Sequence, residues 1–137
     1  MIRLTPIGKV KSPLKRLDSG QEWEKIRAKI IIDEKYGEGL EGIEQCKFIW
    51  VLYWMHRLPH DAKKKLKTHS RGDTSKPVMG VFALRSPMRP NPIGLSKVLL
   101  IKRQHNTLTV EGLDAIDGTP ILDIKKYMEN EKGRLKG

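Results

Sequence analysis

Cysteine is almost missing from this 137-residue chain. Cys46 stands alone, so no disulfide framework and no cysteine-built metal site can form, and a lone cysteine beside an apolar run reads as a small buried hydrophobe. No apolar run approaches a membrane span; the longest, Phe48 to Met55, has the length of a strand. Met1-Ile2-Arg3-Leu4-Thr5-Pro6 lacks a signal-peptide layout, which makes the cytoplasm the default expectation. Helical periodicity is scarce. No Gly-x-Gly-x-x-Gly directly joins a strand-like run to a helical pattern (the one at Gly37 to Gly42 is set off from Ile32 by Asp33 to Tyr36), so the doubly wound nucleotide-binding architecture finds no support. Aromatics number eight, half of them in the Phe48–Met55 run, which argues against a base-stacking platform. Acids are also short: 16 Asp plus Glu against 27 Lys plus Arg leaves a net charge of +11. That sign suits a polyanionic partner, because each neutralised phosphate releases counterions; a lysine-rich source or a solubility device leaves the same composition.

What is present reads as one domain with a core over about residues 4–127 and a polar tail at 128–137. Leu4, Ile7 and Val10 alternate loosely up to Pro13, and Ile26, Ala28, Ile30 and Ile32 recur at period two, each predicting a strand. Tyr36 to Glu44 carries three glycines and predicts a turn or a single helical turn. Phe48 to Met55 is apolar on both faces and predicts a central strand with its tryptophans in the core. Val98 to Ile101, Leu108 with Val110, and Ile121 to Ile124 supply further strands. Apolar parity switches at Gly112, which predicts a β-bulge that frees backbone groups. Eight or so short strands with little helix point to an all-β fold, mainly an antiparallel β-barrel with short helical turns.

Between the strand-like runs at Val78–Leu84 and Ile93 onward lies Arg85-Ser86-Pro87-Met88-Arg89-Pro90-Asn91-Pro92. Its three prolines fix their own φ and push Ser86, Arg89 and Asn91 toward extended backbone, giving a stiff loop that carries two guanidiniums. Such a loop loses little entropy on binding, yet proline spacing alone also fits a surface connection. Asp61 to Lys76 holds six cations (Lys63, Lys64, Lys65, Lys67, Arg71, Lys76) against two acids, and reads either as an arm for RNA phosphates or as a solvated charge run in a long loop. His56 reads as a strand-end histidine bonded to backbone, and Asp18-Ser19-Gly20 as a turn. The His56-x-x-x-His60 pair has no further Cys or His partner nearby, so no metal is expected.

The string GVFALRSPMRPNPIGLS, residues 80–96, resembles the central signature of the TsaA-like / TrmO family of S-adenosylmethionine-dependent tRNA methyltransferases. Ile7-Gly8-Lys9-Val10-Lys11-Ser12-Pro13, Leu40-Glu41-Gly42-Ile43 leading into Phe48 to His56, and Asp117-Gly118-Thr119-Pro120-Ile121-Leu122-Asp123-Ile124-Lys125 fit the same family in order. The resemblance implies a compact β-barrel rather than a Rossmann methyltransferase, S-adenosyl-L-methionine as cofactor, tRNA as partner, and a homodimer with sites near the subunit boundary. It implies transfer to the adenine N6 of threonylcarbamoyladenosine, next to the anticodon of threonine tRNA. Its cofactor residues map onto Asp18, Ser19, His56, Arg57, Arg85, Ser86, Pro87, Leu95, Gly112, Leu113 and Asp114. Arg85 is expected on the cofactor's carboxylate, Leu95 at the pocket floor, and Arg89 with Asn91 toward substrate. Lys63, Lys64, Lys65, Lys67, Arg71 and Lys125 are expected on RNA. Asp114, Asp117, Asp123 and Tyr127 are unranked candidates for taking the proton that leaves N6. The family ends this element Asp-Ile-Lys-Pro-Tyr, whereas Lys126 stands at the proline here, which predicts looser backbone before Tyr127. Two other classes remain open: a non-catalytic RNA-binding β-barrel, and a sensor that binds S-adenosylmethionine without transfer.

Overall fold

A computed structural model describes residues 1–15, 23–56, 66–69, 73–84 and 88–129. Six antiparallel strands close into a barrel: β1 (Gly8–Lys11), β2 (Arg27–Ile32), β3 (Phe48–Trp54), β6 (Ile93–Gln104), β7 (Thr107–Glu111) and β8 (Pro120–Lys126). Around the barrel the order is β1-β2-β7-β6-β3-β8, with β1 returning to β8 through Gly8↔Ile121 and Lys9↔Pro120. A separate two-stranded ribbon pairs β4 (Lys67–His69) with β5 (Val78–Gly80).

Alternation builds the core. Val10, Ala28, Ile30, Ile32, Ile49, Val51, Val98, Leu100, Leu108, Val110 and Ile121 point inward and fill the barrel, as expected for one too narrow to hold a channel. Short 3₁₀ turns at Glu34–Leu40 and Ile43–Gln45 connect β2 to β3, where the glycine-rich stretch predicted them. Leu4, expected on the apolar side of the first strand, is exposed, and β1 begins only at Gly8.

Five further features differ from expectation. On β3 the inward residues are Ile49, Val51 and Tyr53, so Phe48, Trp50, Leu52 and Trp54 face outward and are only half-buried. A strand with β6 on one side and β8 on the other still has two faces, and apolar residues on both did not mean that both were core. The basic Asp61–Lys76 stretch contributes a strand, β4, rather than only a loop. The Val78–Leu84 run divides into three-residue β5 and a 3₁₀ turn at Val81–Ala83. Gly112 is no bulge: β7 ends at Glu111, and Gly112 turns the chain out of the ladder with φ 88°, a conformation glycine adopts without strain. The irregularities lie instead between Leu100 and Lys102 against β7, and between Leu52 and Tyr53 against β8. Nor does Lys126 end the last strand. It pairs with Ile49, and Tyr127 N donates to Phe48 O at 3.3 Å.

Gly94 pairs with Tyr53 across β3 and β6, and a Cβ there would overlap the Tyr53 ring. Gly94→Ala must therefore displace that ring, and overpacking of this kind destabilises by about 1–3 kcal/mol. Urea unfolding monitored by tryptophan fluorescence checks it: a midpoint equal to wild type would mean the ring has room to give.

Candidate functional site

The register brings one set of strand ends to one mouth of the barrel: Lys11, Arg27, Trp54, Ile93, Glu111 and Pro120. Over this mouth lie the described part of the proline loop, Met88–Pro92, and the irregular segment from Gly112 to Thr119. The loop is bolted down by backbone: Met55 N donates to Pro92 O at 2.7 Å, and Ile93 N to Asn91 O at 2.7 Å. Arg89 folds back along it, Nη1 donating to Ile93 O at 2.6 Å. Its guanidinium thus closes the loop on itself as well as lying beside the mouth.

The irregular segment is pinned from inside. Tyr53 is buried among aliphatic side chains, and its hydroxyl donates to Asp114 O at 2.8 Å while accepting from Ser96 Oγ at 3.0 Å. Removing that phenol would strand a carbonyl and a hydroxyl in the interior, each an expensive orphan. Neither Tyr53 nor Ser96 stood out in the sequence, although period two puts Tyr53 opposite the tryptophans and Ser96 closes the signature. Further along, Asp117 Oδ1 accepts from Ser12 N at 2.9 Å and Oδ2 from Lys15 Nζ at 2.8 Å. The Lys15 ammonium, then the Ser12 N–H, hold its carboxyl below the usual carboxylate range. Thr119 Oγ1 donates to Ile116 O at 2.6 Å and completes the turn.

Of the sequence-predicted residues, Gly112, Leu113, Asp114, Asp117, His56, Arg89 and Asn91 gather at this mouth. His56 is exposed just beyond β3, its N–H donating to Trp54 O at 2.9 Å; Asp114 is half-buried; Leu113 is buried. The others separate. Leu95, 42% exposed, lies on the outer wall in one row with Leu52 and Asp123. Lys125 and Tyr127 share that wall, Lys125 beside Trp50 and the Tyr127 ring edge-on to Trp50 at 5.4 Å. Lys67 sits on the ribbon. Asp18, Ser19, Arg57, Arg85, Ser86 and Pro87 lie outside the described residues, as do Lys63, Lys64, Lys65 and Arg71. Among the described residues no three His, Cys, Asp or Glu converge as metal ligands, and no helix is long and apolar enough to cross a membrane.

A closed antiparallel barrel with a proline-stiffened loop and an irregular acidic segment at one mouth defines a class of ligand-binding barrel distinct from the doubly wound nucleotide binders. Within it, the chain belongs to the tRNA-methyltransferase O N-terminal domain family, which matches residues 10–131. It is 43% identical over 127 residues to an S-adenosyl-L-methionine-binding protein of Archaeoglobus fulgidus, covering 90% of this chain and 88% of that one. A probable S-adenosyl-L-methionine-binding protein of Methanothermobacter thermautotrophicus is 39% identical over 132 residues, with 94% and 92% covered. Among solved structures, TrmO from Pseudomonas aeruginosa superposes with a TM-score of 0.75 at 28% identity, covering 100% of this chain. The chain spans 60% of that protein's length.

Because Asp117 titrates lower folded than unfolded, its contribution is fully present above the unfolded value of about 3.9 and fades as pH falls through the folded one. The stability gap between wild type and Asp117→Asn should therefore be constant near neutrality and close as the solution is acidified below that range. Thermal melts across a pH series check it; a gap that stays open in acid would mean the carboxylate's charge is not what ties the turn to β1.

Proposed function

We propose that this chain binds S-adenosyl-L-methionine at the proline-loop mouth and methylates the adenine N6 of threonylcarbamoyladenosine, next to the anticodon of threonine tRNA. The observation that carries this reading is the pinned Asp114 segment. A half-buried carboxylate stands on irregular backbone, fixed by the Tyr53 phenol beside a loop bolted to β3, in a member of this family. The two archaeal relatives, named for S-adenosyl-L-methionine binding, support the same donor.

The residue types at the mouth fit that molecule. Gly112 has no side chain to keep a ring from the backbone, and Asp114 suits a ribose hydroxyl or an amine. His56, Arg57, Ser86 and Pro87 complete the pocket by family resemblance, with Arg85 on the methionine carboxylate. Bound there, the donor supplies a sulfonium methyl, so the protein's work is alignment of an acceptor nitrogen at about 3–3.5 Å. The urea-like N6 is a poor nucleophile and must shed its proton as the N–C bond forms and the sulfonium becomes a thioether. Asp117 is a weakened base, engaged by Lys15 and Ser12. Asp123 and Tyr127 are on the outer wall. Asp114, half-buried on the segment that Tyr53 pins over the mouth, is the carboxylate we assign to accept the proton, directly or through one water.

The reading includes a cytoplasmic homodimer. A two-stranded ribbon is marginal alone, and this one, with the turn after it, exposes Leu66 (60%), Val78 (54%), Met79 (41%) and Phe82 (86%). A second copy is the occupant that would cover them. A second functional reading, binding without transfer, is favoured by the relatives being named for binding.

Calorimetry with S-adenosyl-L-methionine and mass spectrometry of nucleosides from threonine tRNA after incubation test the function together. Binding with a new methylated nucleoside is expected; binding without it leaves the sensor, and no binding leaves a plain RNA-binding barrel. Asp114→Asn should lower single-turnover methyl transfer by about a hundredfold or more, and an unchanged rate would move the proton to solvent. Separately, Phe82→Glu combined with Met79→Glu should convert a dimer to a monomer in sedimentation velocity. A dimer that survives both substitutions would put the interface elsewhere.

A further inference from the structure

We propose that the outer wall of β6, β3 and β8, away from the mouth, is a docking surface for RNA. This rests on the RNA-substrate part of the reading above, though not on its donor. The register lays the wall out in rows. Trp50 lies between Lys97 on β6 and Lys125 on β8, and Phe48 is opposite Leu99 with Tyr127 beside it. Lys97 Nζ sits 4.4 Å from the Phe48 ring centroid and 4.1 Å from that of Tyr127. The Tyr127 ring is in turn edge-on to Trp50. The result is a half-buried aromatic centre with cations on both flanks.

That arrangement matches single-stranded nucleic acid, whose bases stack on rings while phosphates meet lysines a few ångströms away. Aromatic side chains of a strand interior to the sheet gain nothing for the core by facing outward, and yet three of the four on β3 do so. The competing occupant is a second copy of this chain. A two-fold contact would set this basic patch against the same patch of a second copy, and among the described residues of these three strands Asp123 is the one carboxylate available to offset Lys97 and Lys125. The charge favours a polyanion. The apolar ribbon, by contrast, carries the surface suited to self-association.

The probe is a fluorescein-labelled RNA hairpin with a single-stranded loop, titrated by anisotropy over a range of salt. Lys97→Ala with Lys125→Ala should weaken binding about tenfold and reduce the log–log salt slope by about 1.4, the value for two contacts on single-stranded nucleic acid. Trp50→Leu should weaken binding at least fivefold with the salt slope retained, because stacking rather than charge is lost. Calorimetry with S-adenosyl-L-methionine on the same variants should match wild type, so a donor site that failed altogether would leave this outcome readable. Unchanged hairpin affinity and slope in the lysine variant would overturn the proposal. So would a shift from dimer to monomer in sedimentation with RNA affinity intact, which would assign the wall to a second copy.

Discussion

The Tyr53 hydroxyl lies at the crossing of three elements: the strand that carries it, Ser96 on the neighbouring strand, and the Asp114 carbonyl on the segment above the barrel. Holding a phenol there requires a hole in the facing strand, which Gly94 leaves, and requires every polar atom around it to find a partner. In an interior filled mainly by aliphatic side chains, this phenol is a polar grip on the irregular segment from within. Past the Gly112 N–H, which donates to Ile26 O at 3.2 Å, the segment to Ile116 leaves the strand pairing and is fixed by that buried bond, with backbone outside the sheet where a ligand can meet it. The Asp117 carboxylate secures the far end of the same segment to Ser12 and Lys15.

Much of the fold was legible in the residues. Period-two alternation over Ile26–Ile32 gave the strand and its inward face correctly, because one face of that strand is solvated and the pattern records it. Phe48–Trp54 gave the strand but the wrong face for its tryptophans. When both faces are apolar, alternation carries no information, and the choice is made by the tight space opposite Gly94, which sequence periodicity does not encode. The ribbon strand at Lys67–His69 was hidden within a charge run, since its cross-strand partners Val78–Gly80 lie across a long connection. Of the site, Gly112 to Asp114 were marked by the parity switch at Gly112 together with motif resemblance, and Asp117 by resemblance. Tyr53 and Ser96 went unseen because their role depends on a long-range contact with a carbonyl, a group every residue has.

The molecule divides its surface by chemistry. Irregular backbone and acids collect at one mouth, aromatics with lysines on one wall, and bare aliphatic side chains on the ribbon. The mouth and the wall share β3, β6 and β8 but use different ends and faces of them, whereas the ribbon stands on β4 and β5 outside the barrel. The division also explains how a chain with few aromatics can still expose several of them: among the described residues the buried core is filled mostly by Val, Leu and Ile, with Tyr53 as its one aromatic.

The ring closes through β1 and β8, the first and last of the barrel's described strands, which meet at Gly8 and Ile121. On a ribosome this seam cannot form until nearly the whole barrel has been synthesised. Until then β2 and β7 can zip together with β6 and β3, leaving an open curl whose two raw edges face solvent. High contact order of this kind slows the final step, and the nascent chain must be sheltered or kept soluble while it waits. The surplus of lysine and arginine keeps such half-made copies apart by repulsion.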